Sequence, residues 1–266
     1  MDKSALYILI TNSTALEGSS LSLAQNTVLF DKGVSSEGKT IAEQLLNLDL
    51  KAAYEEAFKD AGDHQMWNGY RIKLLAGKAL GSFGFDCSRV SCEETLHRIC
   101  NEANEARMHS RTLGEAGIYA ASIAVHFRFS AASLWPEGND MMGRLMMNAL
   151  QVEFGLEPLS VKDFGKYSSL LSAAVRDNDP DAFAAKAAGV LAKVSRCPKG
   201  ASAVKTGIRI LQLLSSNPRY TTAELAGILH ISAKGVEKHL AQLKKNGSLQ
   251  RVGPDKGGHW QVLRMY

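Results

Sequence analysis

Through the first 195 residues, apolar positions recur at three- and four-residue steps, broken by short polar stretches that carry helix-start and helix-stop signals. Residues 22 to 32 predict a short helix closed by Gly33. Thr40 and Glu43 have the spacing of a capping box, and Ile41, Leu45, Leu48, Tyr54 and Phe58 then recur at helical spacing to about Ala61. Further helices are predicted over 65–81, from the Ser91–Glu94 cap to about Arg107, and from the Thr112–Glu115 cap into Ser133. Others follow from about Asp140 to Phe154, over 165–177, and from Asp179, with Pro180 at the first helical position, to about Val194. No alternating strand pattern emerges in this part, so residues 1–195 read as an all-helical domain.

The pattern changes after Arg196. Residues 196–200 read as a linker. A helix over 203–215 turns Ile208, Leu211 and Leu214 inward. Thr221 and Glu224 cap a second helix to about His230, and Ser232 caps a third to Lys245, where Asn246 and Gly247 end it. Two short alternating runs, 249–252 and 259–262, flank a Gly/Pro-rich loop and predict a hairpin. Helix, helix-turn-helix and hairpin make a winged helix over 196–266. The fold class is thus mainly α, a helical bundle followed by a small α+β winged helix-turn-helix domain.

Composition adds one asymmetry. Of 266 residues, 45% are hydrophobic and 22% charged, ordinary for a globular chain. Residues 199–266 hold eleven Lys and Arg against three Asp and Glu, a net +8, so the remainder carries −4 of the overall +4. Two domains with different partners are expected. Apolar runs are too short for a membrane span, and the start lacks a secretory cleavage pattern. The four cysteines, Cys87, Cys92, Cys100 and Cys197, fit no zinc spacing and read as reduced thiols of a cytoplasmic protein. A Cys87–Cys92 loop disulfide is the alternative.

The candidate chemistry lies between residues 126 and 148. An apolar helix runs into a polar break, Pro136 to Asn139, and a second helix follows. Gly138 and Asn139 tolerate unusual backbone angles, and the N–H groups at the start of that second helix make a site for phosphate. Glu137 can hold Mg²⁺ against it. His126 stands seven positions before Ser133, about 10 Å away along a helix, too far to stand in for a group at 133, and reads as a partly buried helix residue. Met141, Met142, Met146 and Met147 have the spacing of core residues, or of an adaptable binding face.

This stretch resembles the signature of the Fic (Fido) family, His-Pro-Phe-x-(Asp/Glu)-Gly-Asn-Gly-Arg-x-x-Arg. In register, Ser133 falls at the histidine, Leu134 at the proline and Trp135 at the aromatic. Glu137 falls at the acidic residue; Gly138, Asn139 and Arg144 match, while Asp140 stands at the second glycine and Met141 at the first arginine. Ser13 and Glu17 resemble the family's inhibitory motif, (Ser/Thr)-x-x-x-Glu-(Gly/Asn). The resemblance implies a fold and an ancestral activity, transfer of AMP from ATP with Mg to a hydroxyl of a target protein. It also implies that Gly138, Asn139 and Arg144 bind nucleotide, that Glu137 holds the metal and that Glu17 pairs with Arg144. The family histidine is the general base. A serine cannot serve near neutral pH, and loss of a positioned base lowers the rate by roughly 10²–10⁴. The family's β-hairpin flap, which clamps the target by strand addition, has only residues 84–90 to replace it, too few for two strands.

The leading expectation is a degenerate, inactive or strongly impaired Fic protein with a regulatory winged helix. Rivals are an active AMP-transferase, a DNA-binding regulator with a vestigial Fic domain, and a structural or oligomerising scaffold. Expected partners are a nucleotide, a protein target, a second copy of the chain, and DNA met by Lys234, Lys238, Lys245, Arg251 and Lys256. The last role competes with protein docking by a solvated basic face.

Overall fold

The computed structural model describes residues 2–194, 206–207, 210–211, 213–215, 217–229, 232–253 and 258–263. The chain divides into two compact units, Met1–Arg196 and Cys197–Tyr266.

Among its described residues, the first unit holds nine α-helices: α1 (Lys3–Leu16), α2 (Leu23–Lys32), α3 (Ile41–Gly62), α4 (Gly69–Ala79), α5 (Glu93–Met108), α6 (Ser110–Ala132), α7 (Asn139–Glu153), α8 (Phe164–Asp177) and α9 (Pro180–Val190). Local chemistry sets many of the ends. Capping boxes start α2 at Ser22 and α3 at Thr40, left-handed Gly33 closes α2, and Asp179 caps α9 through the Ala182 N–H. The helix α7 lies at the centre, buried on all sides over Met141–Gln151. It is crossed closely by α6: a Cβ on Gly143 would lie 2.7 Å from the His126 carbonyl oxygen. Met141, Met142 and Met146 join the main core with Leu50, Tyr54, Phe129 and Trp135; Met147 belongs to a second core with Phe127, Tyr167 and Phe183.

Several expectations are corrected. The unit is not purely helical: β1 (Leu159–Val161) pairs antiparallel with β2 (Leu191–Lys193), which stops α9 at Val190 rather than Val194. Such three-residue strands are too short to show an alternation. The expected Ser91 cap is not formed; Cys92 takes the N-cap position without a side-chain bond, and Ser91 bonds elsewhere. Thr112 turns back to the His109 carbonyl, and Gly114 breaks α6 at φ 63°, ψ −177°. The helix expected over 65–81 begins at Gly69, capped by Asn68. On α3, the face marked by Ile41, Leu45 and Leu48 is exposed, and Leu46, Leu50, Ala53 and Ala57 face the core instead. Cys87, Cys92 and Cys100 are free thiols, so the alternative loop disulfide is absent; Cys197 lies outside the described residues.

In the second unit, helical residues between 206 and 215 precede α10 (Thr222–Leu229) and α11 (Ala233–Lys245). The strands β3 (Leu249–Val252) and β4 (His259–Val262) form the hairpin, in the register Leu249↔Val262 and Arg251↔Trp260. Leu211, Leu214, Leu225, Val236, Leu240, Leu243 and Leu249 make its core. The expected linker and Ile208 lie outside the described residues. Among the described residues, no helix is long and apolar enough to cross a membrane.

Candidate functional site

The polar break between α6 and α7 is a tightly held loop. Ser133 ends α6 in the left-handed conformation, φ 46°, ψ 48°, with its side chain exposed. Its carbonyl accepts the Ser91 hydroxyl at 3.0 Å, and the Leu134 carbonyl accepts the Ser91 N–H at 2.9 Å. The Trp135 indole, buried, donates to the Cys87 carbonyl at 3.1 Å. Residues 84–92, which carry no strand, are thereby stitched to the loop. Asn139 closes the loop from inside: its Oδ1 accepts the Trp135 N–H at 3.0 Å and its Nδ2 donates to the Trp135 carbonyl at 2.7 Å.

The start of α7 is equally full. Gly138 is its N-cap at φ 77°, and a Cβ there would lie 2.4 Å from Leu80 Cδ2. Leu80 thus packs where a side chain at 138 would point. The first N–H groups of α7 have no acceptor within the helix, but Asp140 in the first turn complements the positive end with its own charge. Glu137 is exposed, and Met141 is buried in the core.

Arg144 anchors the other side. Its guanidinium is buried and makes four bonds: Nε to Ser13 Oγ (2.8 Å), Nη2 to the Ser13 carbonyl (3.2 Å) and to Glu17 Oε1 (2.6 Å), and Nη1 to the Tyr167 hydroxyl (3.1 Å). Burial would lower its pKa, yet Tyr167 and Glu17, by charge and hydrogen bonding, more than offset this and raise it. The Tyr167 hydroxyl is 2.8 Å from His126 Nε2. Burial holds the His126 imidazole neutral, with a pKa near 3, and adjacent Arg144 adds to the effect. Burial also pushes the Tyr167 phenol up to about 12. His126 Nδ1 has no hydrogen-bond partner. Glu17, Ser13, Arg144, Tyr167 and His126 thus form one connected latch. The end of α1 is fixed independently: Thr14 donates to Asn47 Oδ1 at 2.7 Å, and Asn47 donates to Ser19 Oγ at 2.9 Å.

Of the residues singled out from the sequence, the structure brings Ser13, Glu17 and Arg144 into contact. It places Ser133, Glu137, Gly138 and Asn139 on one loop. Tyr167 and Leu80 were missed; neither belongs to a motif, and they reach the site from α8 and from the C-cap of α4. Met141 leaves Arg144 as the sole cation of the motif, and it is committed to protein partners. At the start of α7 a side chain at 138 would meet Leu80, both polar atoms of the Asn139 amide are bonded to Trp135, and Asp140 sets a carboxylate in the first turn.

In the second unit, Lys234, Lys238 and Lys245 are exposed on α11. Gln242, exposed one turn beyond Lys238 on the same face, was also missed; an amide of this kind can read a base edge. The Arg251 guanidinium stacks over the Trp260 ring at 4.9 Å. Lys256 lies outside the described residues.

Residues 205–248 match the family model described as winged helix-turn-helix DNA-binding. No curated protein matches the chain. Among solved structures, the chain is similar to a Fic domain containing signaling protein from Bacteroides thetaiotaomicron, 16% identical with a TM-score of 0.60, over 70% of this chain and 82% of that one. It is also similar to Fic-1 (aa134 - 508) from C. elegans, 17% identical with a TM-score of 0.59, over 71% of this chain and 63% of that one. A Fic family protein from Desulfovibrio desulfuricans is 14% identical with a TM-score of 0.52, over 98% of this chain and 86% of that one. The first unit therefore has the Fic-like helical fold, and the second is a winged helix-turn-helix.

Proposed function

We propose that this chain is a DNA-binding regulator whose Fic-like domain performs no adenylyl transfer. The observation that carries the reading is Ser133. It stands where the reaction needs a proton acceptor, and a serine hydroxyl takes up no proton near neutral pH. His126, the nearest histidine in the helix, is buried, bonded to Tyr167 and held neutral with a pKa near 3, so it is used by the core. The Arg144 guanidinium, engaged by Glu17, supports the same conclusion from the nucleotide side. The DNA role is supported by the winged helix-turn-helix match, the net +8 of residues 199–266 and the exposed Lys234, Lys238 and Lys245.

The test has two arms. Incubated with labelled ATP and Mg²⁺ or Mn²⁺, neither the native chain nor Glu17→Gly becomes labelled, and Ser133→His in the Glu17→Gly background remains far below an active enzyme because Met141 and Asp140 are unchanged. Clear self-labelling of Glu17→Gly refutes the inactive reading. On duplex DNA, the full chain binds with an affinity that falls steeply with salt. A flat salt response, or no binding at low salt, refutes the DNA role.

A further inference from the structure

The lysines of α11 share their face with two residues that carry no charge. Val236, Leu240 and Leu243 point into the core of the second unit. At about 100° per residue, five side chains fall within roughly 60° of the direction opposite them: Lys234, Lys238, Ala241, Gln242 and Lys245, all exposed. The other polar side chains of this helix are turned elsewhere or engaged. Glu237 and Lys244 lie on one flank, about 90–110° from that direction. His239 is half-buried on the other flank, and the Ser232 hydroxyl accepts the Gly235 N–H at 3.1 Å as the N-cap. From Lys234 to Lys245 the helix rises about 16 Å, more than the roughly 12 Å width of the DNA major groove. Laid in that groove, it sets these two ammonium groups at the phosphates of the two walls, with Ala241 and Gln242 between them. Lys238, a point charge on a flexible stem, also reaches a phosphate. Gln242 is then the outward side chain of α11 that offers a donor and an acceptor together.

Granting the DNA role, on which this rests, we propose that Gln242 and Ala241 set the base preference, and that the preferred duplex carries an A·T pair under Gln242 with a thymine beside it under Ala241. The Gln242 amide matches the major-groove edge of adenine: Nε2 donates to N7 and Oε1 accepts from the N6 amino group. Guanine presents acceptors at both places, so Oε1 would face O6 with no proton between them, and one bond is lost. Cytosine offers a lone donor, and thymine a lone acceptor. The Ala241 methyl is short enough to let the backbone approach the base edges, which brings the neighbouring amide within reach. It is itself the right group to pack on the thymine C5 methyl. The lysines supply charge and hold the helix in place, and the uncharged pair reads the sequence.

The full chain, mixed with a pool of duplexes randomised over their central positions, tests this when the bound fraction is sequenced. The native chain enriches duplexes with an A·T pair beside a thymine. On the enriched duplex, Gln242→Ala weakens binding by roughly 5- to 150-fold, the worth of one bidentate base contact, with its helical circular dichroism and its salt slope unchanged. Placing 7-deazaadenine at that pair removes the N7 acceptor, which weakens the native chain several-fold and leaves Gln242→Ala unaffected. Gln242→Arg moves the preference at that pair from adenine to guanine. Uracil in place of the neighbouring thymine removes the methyl, weakening the native chain and sparing Ala241→Gly. Failure to bind any duplex at low salt overturns the DNA role itself. Binding with no enriched A·T pair, or a Gln242→Ala chain that selects the same pair as strongly as the native one, overturns the assignment of Gln242 and leaves the DNA role standing.

Discussion

The Glu17–Arg144 contact makes a quantitative demand on the fold. Arg144 carries a full positive charge at a position where its side chain is 5% exposed, and Glu17, 18% exposed, is the sole carboxylate bonded to it among the described residues. Breaking a buried ion pair by deleting one partner costs about 3–5 kcal/mol, because the surviving charge is left uncompensated. Water reaches the Glu17 end, which screens part of this, so Glu17→Ala is expected to lose about 2–3 kcal/mol. Glu17→Gln keeps an acceptor for Nη2 and should lose about half as much. Arg144→Met removes the charge that needs a partner, in a region already lined by methionine, so adding Glu17→Ala to it should lose little more. The coupling between the two positions is then about 2 kcal/mol, far above that of an exposed pair. Urea unfolding followed by far-ultraviolet circular dichroism measures all four corners of the cycle. If Glu17→Ala loses less than about 0.5 kcal/mol, or the two changes simply add, the latch is a surface ornament. The result also bears on the labelling assay, since a Glu17→Gly chain must be shown to remain folded before its silence means anything.

Three further outcomes follow from the same geometry. His126 resists protonation in the folded chain down to a pKa near 3, against an ordinary value of 6.5. Below pH 6.5 the unfolded chain binds a proton that the folded chain refuses, so this group removes stability as pH falls toward 3, at up to ~1.4 kcal/mol per pH unit; in His126→Gln that part of the slope between pH 6 and 4 disappears, and an unchanged slope would contradict the burial argument. Gly138→Ala places a Cβ against Leu80 at a left-handed backbone position, and a loss of about 1–3 kcal/mol in thermal unfolding is expected; a neutral result would mean the loop relaxes freely. For DNA, Lys238→Ala should weaken binding to all duplexes alike and reduce the slope of log affinity against log salt by about 1, whereas an unaltered slope would take Lys238 off the contact face.

What could be read from the chain depended on how far each signal reaches. Capping boxes at Ser22, Thr40 and Thr221 involve atoms three residues apart, so they form wherever the pattern occurs. Ser91 shows the limit of that rule: it has a cap-like spacing, but its hydroxyl is drawn to the Ser133 carbonyl, 42 residues away. The outer stripe of α3 misled for a different reason. The helix is apolar on two faces, and spacing alone cannot say which one meets the core; only the partners do. The Glu17–Arg144 pair spans 127 residues, and nothing but the resemblance to a family motif connected them. Tyr167 had no such motif and was invisible, although it ties Arg144 to His126.

Asn139 carries this reasoning furthest. In the sequence it reads as part of a phosphate cradle, because an asparagine between a glycine and a helix start suits an anion site. In the structure both polar atoms of its side chain are spent on the Trp135 backbone, holding the turn from Ser133 to Gly138 shut. An asparagine needed to shape the loop would persist in a chain that no longer bound a nucleotide, whereas a residue needed only for the chemistry would be free to change. The surviving and lost positions sort in this way. Gly138, Asn139 and Arg144, each packed or bonded into the fold, match the motif. The positions where Ser133, Asp140 and Met141 now stand are those where a base, a bare glycine and a second guanidinium would matter to a phosphate. Two positions cut across this sorting: Glu137 matches the motif although it is exposed, and Met141 departs from it although it is buried in the core.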